Sequence, residues 1–272
     1  MAIHLTQHRK GFGPGLTEIT RHDETVDPTG IGFAVLKLKA GERRVETAKT
    51  ETAWLLMDGQ IAVEVGNHKA DLARTSLFDE SPSAVHVAAG ETARFAAATD
   101  VELTVYATAN TRRFAPKIFR PQDTANENRG AGQVGDACLR YVRTIFDGNN
   151  SDPAAELVLG EVVNFPGRWS SYPPHHHPQP ELYHYRFDKP QGYGHAEHGE
   201  DVYKVRPNDT LKIFWPHDHS QCAAPGYAMY YAWVIRHLPN NPYTVPEYTA
   251  EHRWVTGKDA PFWRPAGPKG NG

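Results

Sequence analysis

The chain contains 272 residues, including 21 prolines and 23 glycines, which is a larger share of helix-breaking residues than in an average soluble protein. A mostly helical fold is therefore not expected. Lysine and arginine total 29 and aspartate and glutamate total 32, so the formal net charge of −3 lacks the basic excess typical of nucleic-acid-binding proteins. No apolar window reaches the length of a membrane span, and the N-terminus has no signal-peptide-like apolar segment.

The cysteine content indicates the redox environment. Only Cys138 and Cys222 are present, which is typical of a protein in a reducing compartment and cannot supply a disulfide framework. Hydrophobic residues make up 39% of the chain, enough for a substantial core. These features predict a cytoplasmic protein that binds neither nucleic acid nor a membrane.

Short apolar segments separated by turn residues recur along the first half of the chain. Gly32–Lys39, Gln60–Val65 and Val101–Ala107 are examples, at the spacing of roughly 8–12 residues that is typical of antiparallel sandwiches and barrels. The pair Asp58-Gly59 stands between two such segments, and this arrangement predicts a β-hairpin turn.

A polar connector divides the chain into two β-rich halves. Residues 110–135 contain few apolar positions, and strand-like segments return after them. We predict a first domain over 1–122, a second over 123–263 and a flexible tail over 264–272.

Histidine is the outlier in composition, because eight of the 15 histidines lie between residues 175 and 219. His175 and His177 are two residues apart, so in an extended strand their side chains project to the same face. Glu181 follows after two prolines and begins the next strand. Two neutral imidazoles and a carboxylate form a suitable ligand set for Zn²⁺, Mn²⁺, Fe²⁺ or Ni²⁺.

A fourth ligand is expected from a later strand end. His219 is the preferred candidate and His217, which has the same parity, is the alternative. Such a set leaves at least one open coordination position, as catalysis requires. Tyr183 and Tyr185 share the parity of Glu181 and are expected to line the same cavity. In the alternative interpretation, the histidines lie in a solvent-exposed loop and the tyrosines only pack in a core.

These motifs resemble a known family. The pattern H-x-H-x₃-E with a later histidine is similar to the cupin metal signature. Four segments more narrowly resemble the bicupin isomerases of the 5-deoxy-glucuronate isomerase family, related to the 4-deoxy-5-ketouronate isomerases: Pro166–His177, Glu181–Arg186, Pro190–Tyr193 and Ala224–Tyr231. Ala228 and the segment 232–234 depart from the family pattern.

The resemblance implies an all-β bicupin of two antiparallel jelly-roll β-barrels. Because the first half lacks an H-x-H motif, one divalent metal ion per chain is expected, with zinc preferred over manganese, iron or nickel. The implied reaction is an aldose–ketose isomerisation of a small sugar acid, 5-deoxy-D-glucuronate to 5-dehydro-2-deoxy-D-gluconate, in inositol catabolism. An iron-dependent cupin dioxygenase and a non-catalytic sugar-binding cupin are the alternatives.

The spacing of the residues and the resemblance together give the candidate residues. The metal ligands are His175, His177, Glu181 and His219; the catalytic candidates are Glu181, Tyr183 and Tyr185; the substrate-binding candidates are Gln191, Tyr230, Tyr231, Arg186 and Lys212. The exposed edges of antiparallel sheets also make a homo-oligomer plausible.

Overall fold

A computed structural model of the protein describes residues 3–257 and 259–265. These residues form antiparallel β-strands and a few short 3₁₀ helices, which confirms the predicted all-β class. No helix among them is both long and apolar enough to cross a membrane. From residue 266 onward the predicted tail lies outside the described residues.

The strands of the first half are β1 (His4–Leu5), β2 (Gly15–Thr20), β3 (Ile31–Leu38), β4 (Arg43–Thr47), β5 (Glu51–Val65), β6 (His68–Arg74), β7 (Ala84–Val87), β8 (Thr92–Ala97), β9 (Val101–Thr108) and β10 (Lys117–Phe119). The strands of the second half are β11 (Glu127–Arg129), β12 (Arg140–Phe146), β13 (Leu157–Asn164), β14 (Trp169–His176), β15 (Glu181–Phe187), β16 (Gly194–His198), β17 (Asp201–Val205), β18 (Thr210–Ile213), β19 (His219–Ala223), β20 (Met229–Arg236) and β21 (Glu247–Tyr248). The 3₁₀ helices are Pro121–Asp123, Gln133–Asp136 and Ala250–Thr256.

The described strands pair into three sheets. The first sheet has the order β10-β7-β5-β9-β3-β2, with β6 and β8 also paired to β5 and β4 paired to β8. The second sheet has the order β1-β18-β15-β20-β13-β12-β11, and the third has the order β17-β16-β19-β14-β21. The second and third sheets therefore contain the strands of the second half together with β1, and they enclose the core described below.

The predicted hairpin at Asp58-Gly59 is wrong. The chain continues through this pair as the single long strand β5, with a bulge between Leu56 and Asp58. Gly59 has a φ of 101°, and a Cβ at this position would lie 2.3 Å from the carbonyl oxygen of Asp100. The glycine thus lets β5 bend from its pairing with β9 to its pairing with β6 and β8, as glycines at sheet corners do.

The N-terminal segment belongs to the second sheet by its strand pairing. β1 pairs with β18, so His4 lies opposite Leu211. Arg9 donates two hydrogen bonds to the buried carboxylate of Asp209, at 2.7 and 2.6 Å, and the His4 ring lies 2.8 Å from the same group. The division of the chain at residue 122 stays a prediction.

Alternation along the strands produces two of the apolar cores. One face of the second sheet packs on the first sheet, and the shared core includes Phe33, Leu55, Tyr106, Leu159, Leu182, Tyr230 and Val234. The other face of the second sheet packs on the third sheet, and that core includes Val142, Val162, Tyr183, Tyr185, Ala196, Ala223 and Tyr231. The second sheet is therefore buried on both faces, and successive side chains along its strands point alternately into the two cores.

A buried ionic network joins the two halves. Arg74 of β6 donates to Glu161 of β13 at 2.6 and 3.0 Å, and Arg143 of β12 donates to the same carboxylate at 2.9 Å. The Tyr230 hydroxyl adds a fourth contact at 2.8 Å. Both arginines also donate to the backbone carbonyl of Glu80, so the loop before β7 is tied to the network.

We expect Glu161→Gln to be strongly destabilising, because it leaves two buried guanidinium groups without their carboxylate. Breaking a buried pair in this way costs about 3–5 kcal/mol. Glu64→Gln is the matched control, because Glu64 meets Lys69 on the surface and such pairs contribute about 1 kcal/mol or less. Urea unfolding of both variants measures the difference, and equal losses of unfolding free energy would contradict the role of the network.

A second buried carboxylate, Glu51 of β5, also crosses between the halves. It accepts hydrogen bonds from the backbone N–H groups of Glu156 and Leu157, both at 2.8 Å, and from the Asn110 amide at 2.6 Å. The His86 ring lies 2.8 Å away. Burial raises the pKa of Glu51, but His86 and these donors outweigh it, so the net pKa is lowered from 4.5.

This shift predicts a pH dependence of stability. Because the folded-state pKa of Glu51 lies below 4.5, its stabilisation is present above that value and is lost as the pH falls through the folded pKa. We expect Glu51→Gln to be less stable than the wild type at pH 7 and to lose less stability on further acidification. Urea unfolding between pH 7 and pH 3 measures both slopes, and parallel slopes would contradict the prediction.

Candidate metal centre

Three of the four predicted ligands meet between the second and third sheets. Glu181 is the first residue of β15 in the second sheet, and His219 is the first residue of β19 in the third. His177 directly follows β14, which pairs with β19 so that His175 lies opposite His219. The strand ends thus place the cluster at one end of the core between these sheets.

The three side chains lie close together. One ligand atom each from His177, Glu181 and His219 lies within 4.8 Å of the other two, and all three residues are buried. The Nε2 atoms of both histidines are 3.3 Å from the same oxygen, Oε2 of Glu181. Two imidazole nitrogens and a carboxylate oxygen therefore converge on one point.

Hydrogen bonds to the ring nitrogens indicate which atoms carry protons. His177 Nδ1 lies 2.8 Å from the carbonyl oxygen of Gln179, which can only accept, so Nδ1 donates and Nε2 is the ring nitrogen left to face Glu181. Neither ring nitrogen of His219 has a hydrogen-bond partner among the described residues. Where a ring presents its Nε2 lone pair to the Glu181 carboxylate, a divalent cation between the two atoms suits this donor set.

The charge of Glu181 suits a metal ligand. Burial alone would raise the pKa of its carboxyl group, but the neighbouring His177 and His219 outweigh that effect and lower the pKa to about 2. Glu181 is therefore ionised at neutral pH and provides an anionic ligand.

His175 lies beside the three-residue cluster. Its ring centroid is 4.3 Å from that of His219, and its Nδ1 lies 3.2 Å from the carbonyl oxygen of Pro173. Burial, with a smaller effect of His219, lowers the pKa of His175 well below the ordinary 6.5, so the ring is neutral. Its Nε2 lone pair is available to a cation, which keeps His175 as a candidate fourth ligand.

His217, the alternative to His219 in the sequence, lies outside the cluster. Its ring packs against His198, with 4.4 Å between the centroids. His219 and not His217 occupies the predicted position, because β19 begins at His219 and turns that side chain into the core.

Tyrosines line the core beneath the cluster, as the parity of β15 predicts. Tyr183 stacks on Tyr231 with 4.7 Å between the ring centroids, and both hydroxyls reach Ser171, at 3.3 and 3.1 Å. The Tyr185 hydroxyl donates to Gln221 at 2.7 Å deeper in the core. Burial raises the pKa of all three tyrosines, so these groups stay protonated and act as hydrogen-bond donors rather than as bases.

Four predicted substrate-binding residues lie elsewhere, and the structure corrects these assignments. Arg186 contacts Glu102 of the first half, and Lys212 donates to Glu24 at 2.8 Å. Tyr230 faces the first sheet, and Gln191 lies exposed beyond the end of β15 that is opposite to Glu181. Strand parity turns the side chains of Arg186, Lys212 and Tyr230 away from the cluster.

A cavity of about 370 Å³ opens beside the cluster. Its walls include His175, His177, Glu181 and Tyr183, together with residues that were not singled out in the sequence: Arg129, Arg140, Val142, Val162, Ser171, Trp233, Tyr243, Val245, Pro246 and Tyr248. The Tyr243 ring lies edge-on to His177 with 5.0 Å between centroids. Only the parity that Arg140 shares with the apolar Val142 could have indicated one of these residues in advance.

Known proteins are similar to this chain in sequence and in structure. A 5-deoxy-glucuronate isomerase from Geobacillus kaustophilus is 30% identical over 230 residues, which cover 78% of this chain and 81% of that protein. The crystal structure of an IolB-like protein from Salmonella typhimurium LT2 has a TM-score of 0.76 at 22% identity, over 90% of this chain and 97% of that one.

A cupin is also among the similar structures. The cupin 2 conserved barrel domain protein from Leptotrichia buccalis has a TM-score of 0.53 at 11% identity, over 86% of this chain and 96% of that one. The predicted cupin fold is therefore confirmed. The sequence model of the KduI/IolB family matches residues 4–255, which confirms the resemblance seen in the motifs. The chain belongs to the KduI/IolB family.

Proposed function

We propose that the protein is a metal-dependent aldose–ketose isomerase of a deoxyuronic acid. The proposed reaction converts 5-deoxy-D-glucuronate to 5-dehydro-2-deoxy-D-gluconate. The observation that carries the metal dependence is the convergence of the Nε2 atoms of the buried His177 and His219 on Oε2 of Glu181 beside a cavity. The names of the related isomerases support the reaction and the substrate.

The residues present suit a divalent ion with open positions. His177, Glu181 and His219 would hold it, and His175 would complete the set from the adjacent strand end. When bound, the ion supplies a Lewis acid that stabilises negative charge on two neighbouring substrate oxygens. Zinc is the preferred ion for this ligand set, and manganese, iron or nickel would also fit.

The remaining cavity residues would orient the sugar. The hydroxyls of Tyr183 and Ser171 lie within the cavity wall and remain protonated, so they can donate hydrogen bonds to substrate oxygens. Tyr243 and Tyr248, which follow β20 in the chain, pack against the rings of His177 and His175 and reduce the access of water to them.

We expect His219→Asn to lose most of its bound metal and its isomerase activity, because one converging imidazole is removed. The expected loss of metal affinity is roughly tenfold or more. His217→Asn is the matched control, because this histidine belongs to the same segment but packs against His198. Elemental analysis of both purified variants measures the metal, and equal metal content in the two would contradict the assigned site.

The reaction itself is tested by following 5-deoxy-D-glucuronate by NMR with the metal-loaded enzyme. We expect the ketose product to form, to stop forming after chelation, and to form again after the ion is restored. An oxygen electrode run in parallel separates the alternatives. Substrate-dependent oxygen uptake would indicate a dioxygenase, and binding without conversion would indicate a sugar-binding protein; either result would overturn the isomerase proposal.

A further inference from the structure

Arg140 is a buried cation in the wall of the cavity beside the metal cluster. It is the first residue of β12, where it pairs with Asn164 of β13 and with Arg129 of β11. Arg140 shares its parity with Val142, and both residues line the cavity that contains His177 and Glu181. Its guanidinium group therefore belongs to the same space as the candidate ligands.

The partners of Arg140 distinguish it from the other buried arginines. Its Nη1 donates to the carbonyl oxygen of Cys138 at 2.8 Å, and its Nη2 donates to that of Tyr172 at 3.4 Å. No carboxylate among the described residues forms an ion pair with it. Arg74 and Arg143, which are buried still more deeply, both contact the carboxylate of Glu161.

A buried guanidinium without an anion is energetically costly. Burial lowers the pKa of Arg140, the effect expected of a cation that lacks a carboxylate partner. The local backbone nevertheless accommodates this side chain. Gly130 has a φ of 79°, and a Cβ there would lie 3.1 Å from Nη1 of Arg140 and 2.2 Å from the carbonyl oxygen of Cys138.

We propose that Arg140 binds the carboxylate of the substrate. The sugar acid would then lie across the cavity, with its carboxylate on β12 and its reacting oxygens at the cluster of His177, Glu181 and His219. This inference rests on the proposed function and adds the group that selects a uronic acid over a neutral sugar. A guanidinium is suited to this task because two of its N–H groups can bind both carboxylate oxygens.

The other arginine in the cavity wall is less suited. Arg129 is half-exposed, and its Nε already donates to Glu127 at 2.7 Å. Its charge is therefore both compensated and screened by solvent. Arg140 is buried and has no carboxylate partner in the described part of the chain, so a substrate carboxylate would bind more strongly to it than to Arg129.

The test compares two probes that differ at one position: D-glucuronate carries a carboxylate where D-glucose carries a hydroxymethyl group. Binding of each to the metal-loaded protein is measured by calorimetry for the wild type, Arg140→Met, Arg140→Lys and Arg168→Met. Arg168 is the matched control, because it also donates to a backbone carbonyl, that of Gly135, and does not line this cavity.

We expect the wild type to prefer glucuronate, and Arg140→Met to bind it roughly 10–100-fold more weakly with little change for glucose. Arg140→Lys should lie between these two, because lysine keeps the charge but loses the paired donors. Arg168→Met should match the wild type. With the substrate itself, Arg140→Met should raise KM more than it lowers kcat.

Three outcomes would overturn the inference: a wild type without preference for the carboxylate, an Arg140→Met protein that keeps the preference, or an Arg168→Met protein that loses it equally. Metal content and circular dichroism verify that each variant is folded. If Arg140→Met does not fold, Arg140→Lys decides, because an unchanged preference in that variant contradicts paired donation. A wild type that binds glucuronate selectively but isomerises no deoxyuronate would overturn the proposed function and leave this inference standing.

Discussion

The structure of the candidate site depends on one electrostatic constraint, the buried carboxylate of Glu181 facing the imidazoles of His177 and His219. The Nε2 atoms of both histidines lie 3.3 Å from one oxygen of this carboxylate, and a proton or a bound cation between these atoms makes the contact attractive. A buried carboxylate needs such a partner, because an unpaired charge in the protein interior is costly. The two sheets that carry these residues must therefore be held firmly against each other, and the tyrosine-lined core between them does so.

The first half of the chain contributes rigidity to this arrangement without its own metal cluster among the described residues. It covers the outer face of the second sheet, the same sheet whose inner face carries Glu181. Two buried carboxylates connect the halves by hydrogen bonds. Glu51 of the first half accepts from the second half, and Glu161 of the second half accepts from the first. Because each accepts at least two hydrogen bonds from the other half, the halves are held against each other, and this fixes the backbone beneath the site.

Strand periodicity explains what could be predicted from the sequence. The parity of β15 correctly separates Tyr183 and Tyr185, which face the inner core, from His184, which packs on Phe33 of the first half. It could not show that the Asp58-Gly59 pair bends a continuous strand, because a bulge and a hairpin use the same residues. Motif resemblance also misled the assignment of substrate contacts. A motif such as that of β20 contains both Tyr230, which binds Glu161, and Tyr231, which lies beneath the cluster, and only the packing of two sheets separates them.

The central claim is that a metal ion joins His177, Glu181 and His219, and anomalous diffraction from crystals of the metal-loaded protein tests it most directly. Data collected on both sides of the absorption edge of the ion should give a single strong peak between the two Nε2 atoms and Oε2 of Glu181. A peak at another place, or no peak in crystals shown to contain the ion, would contradict the account.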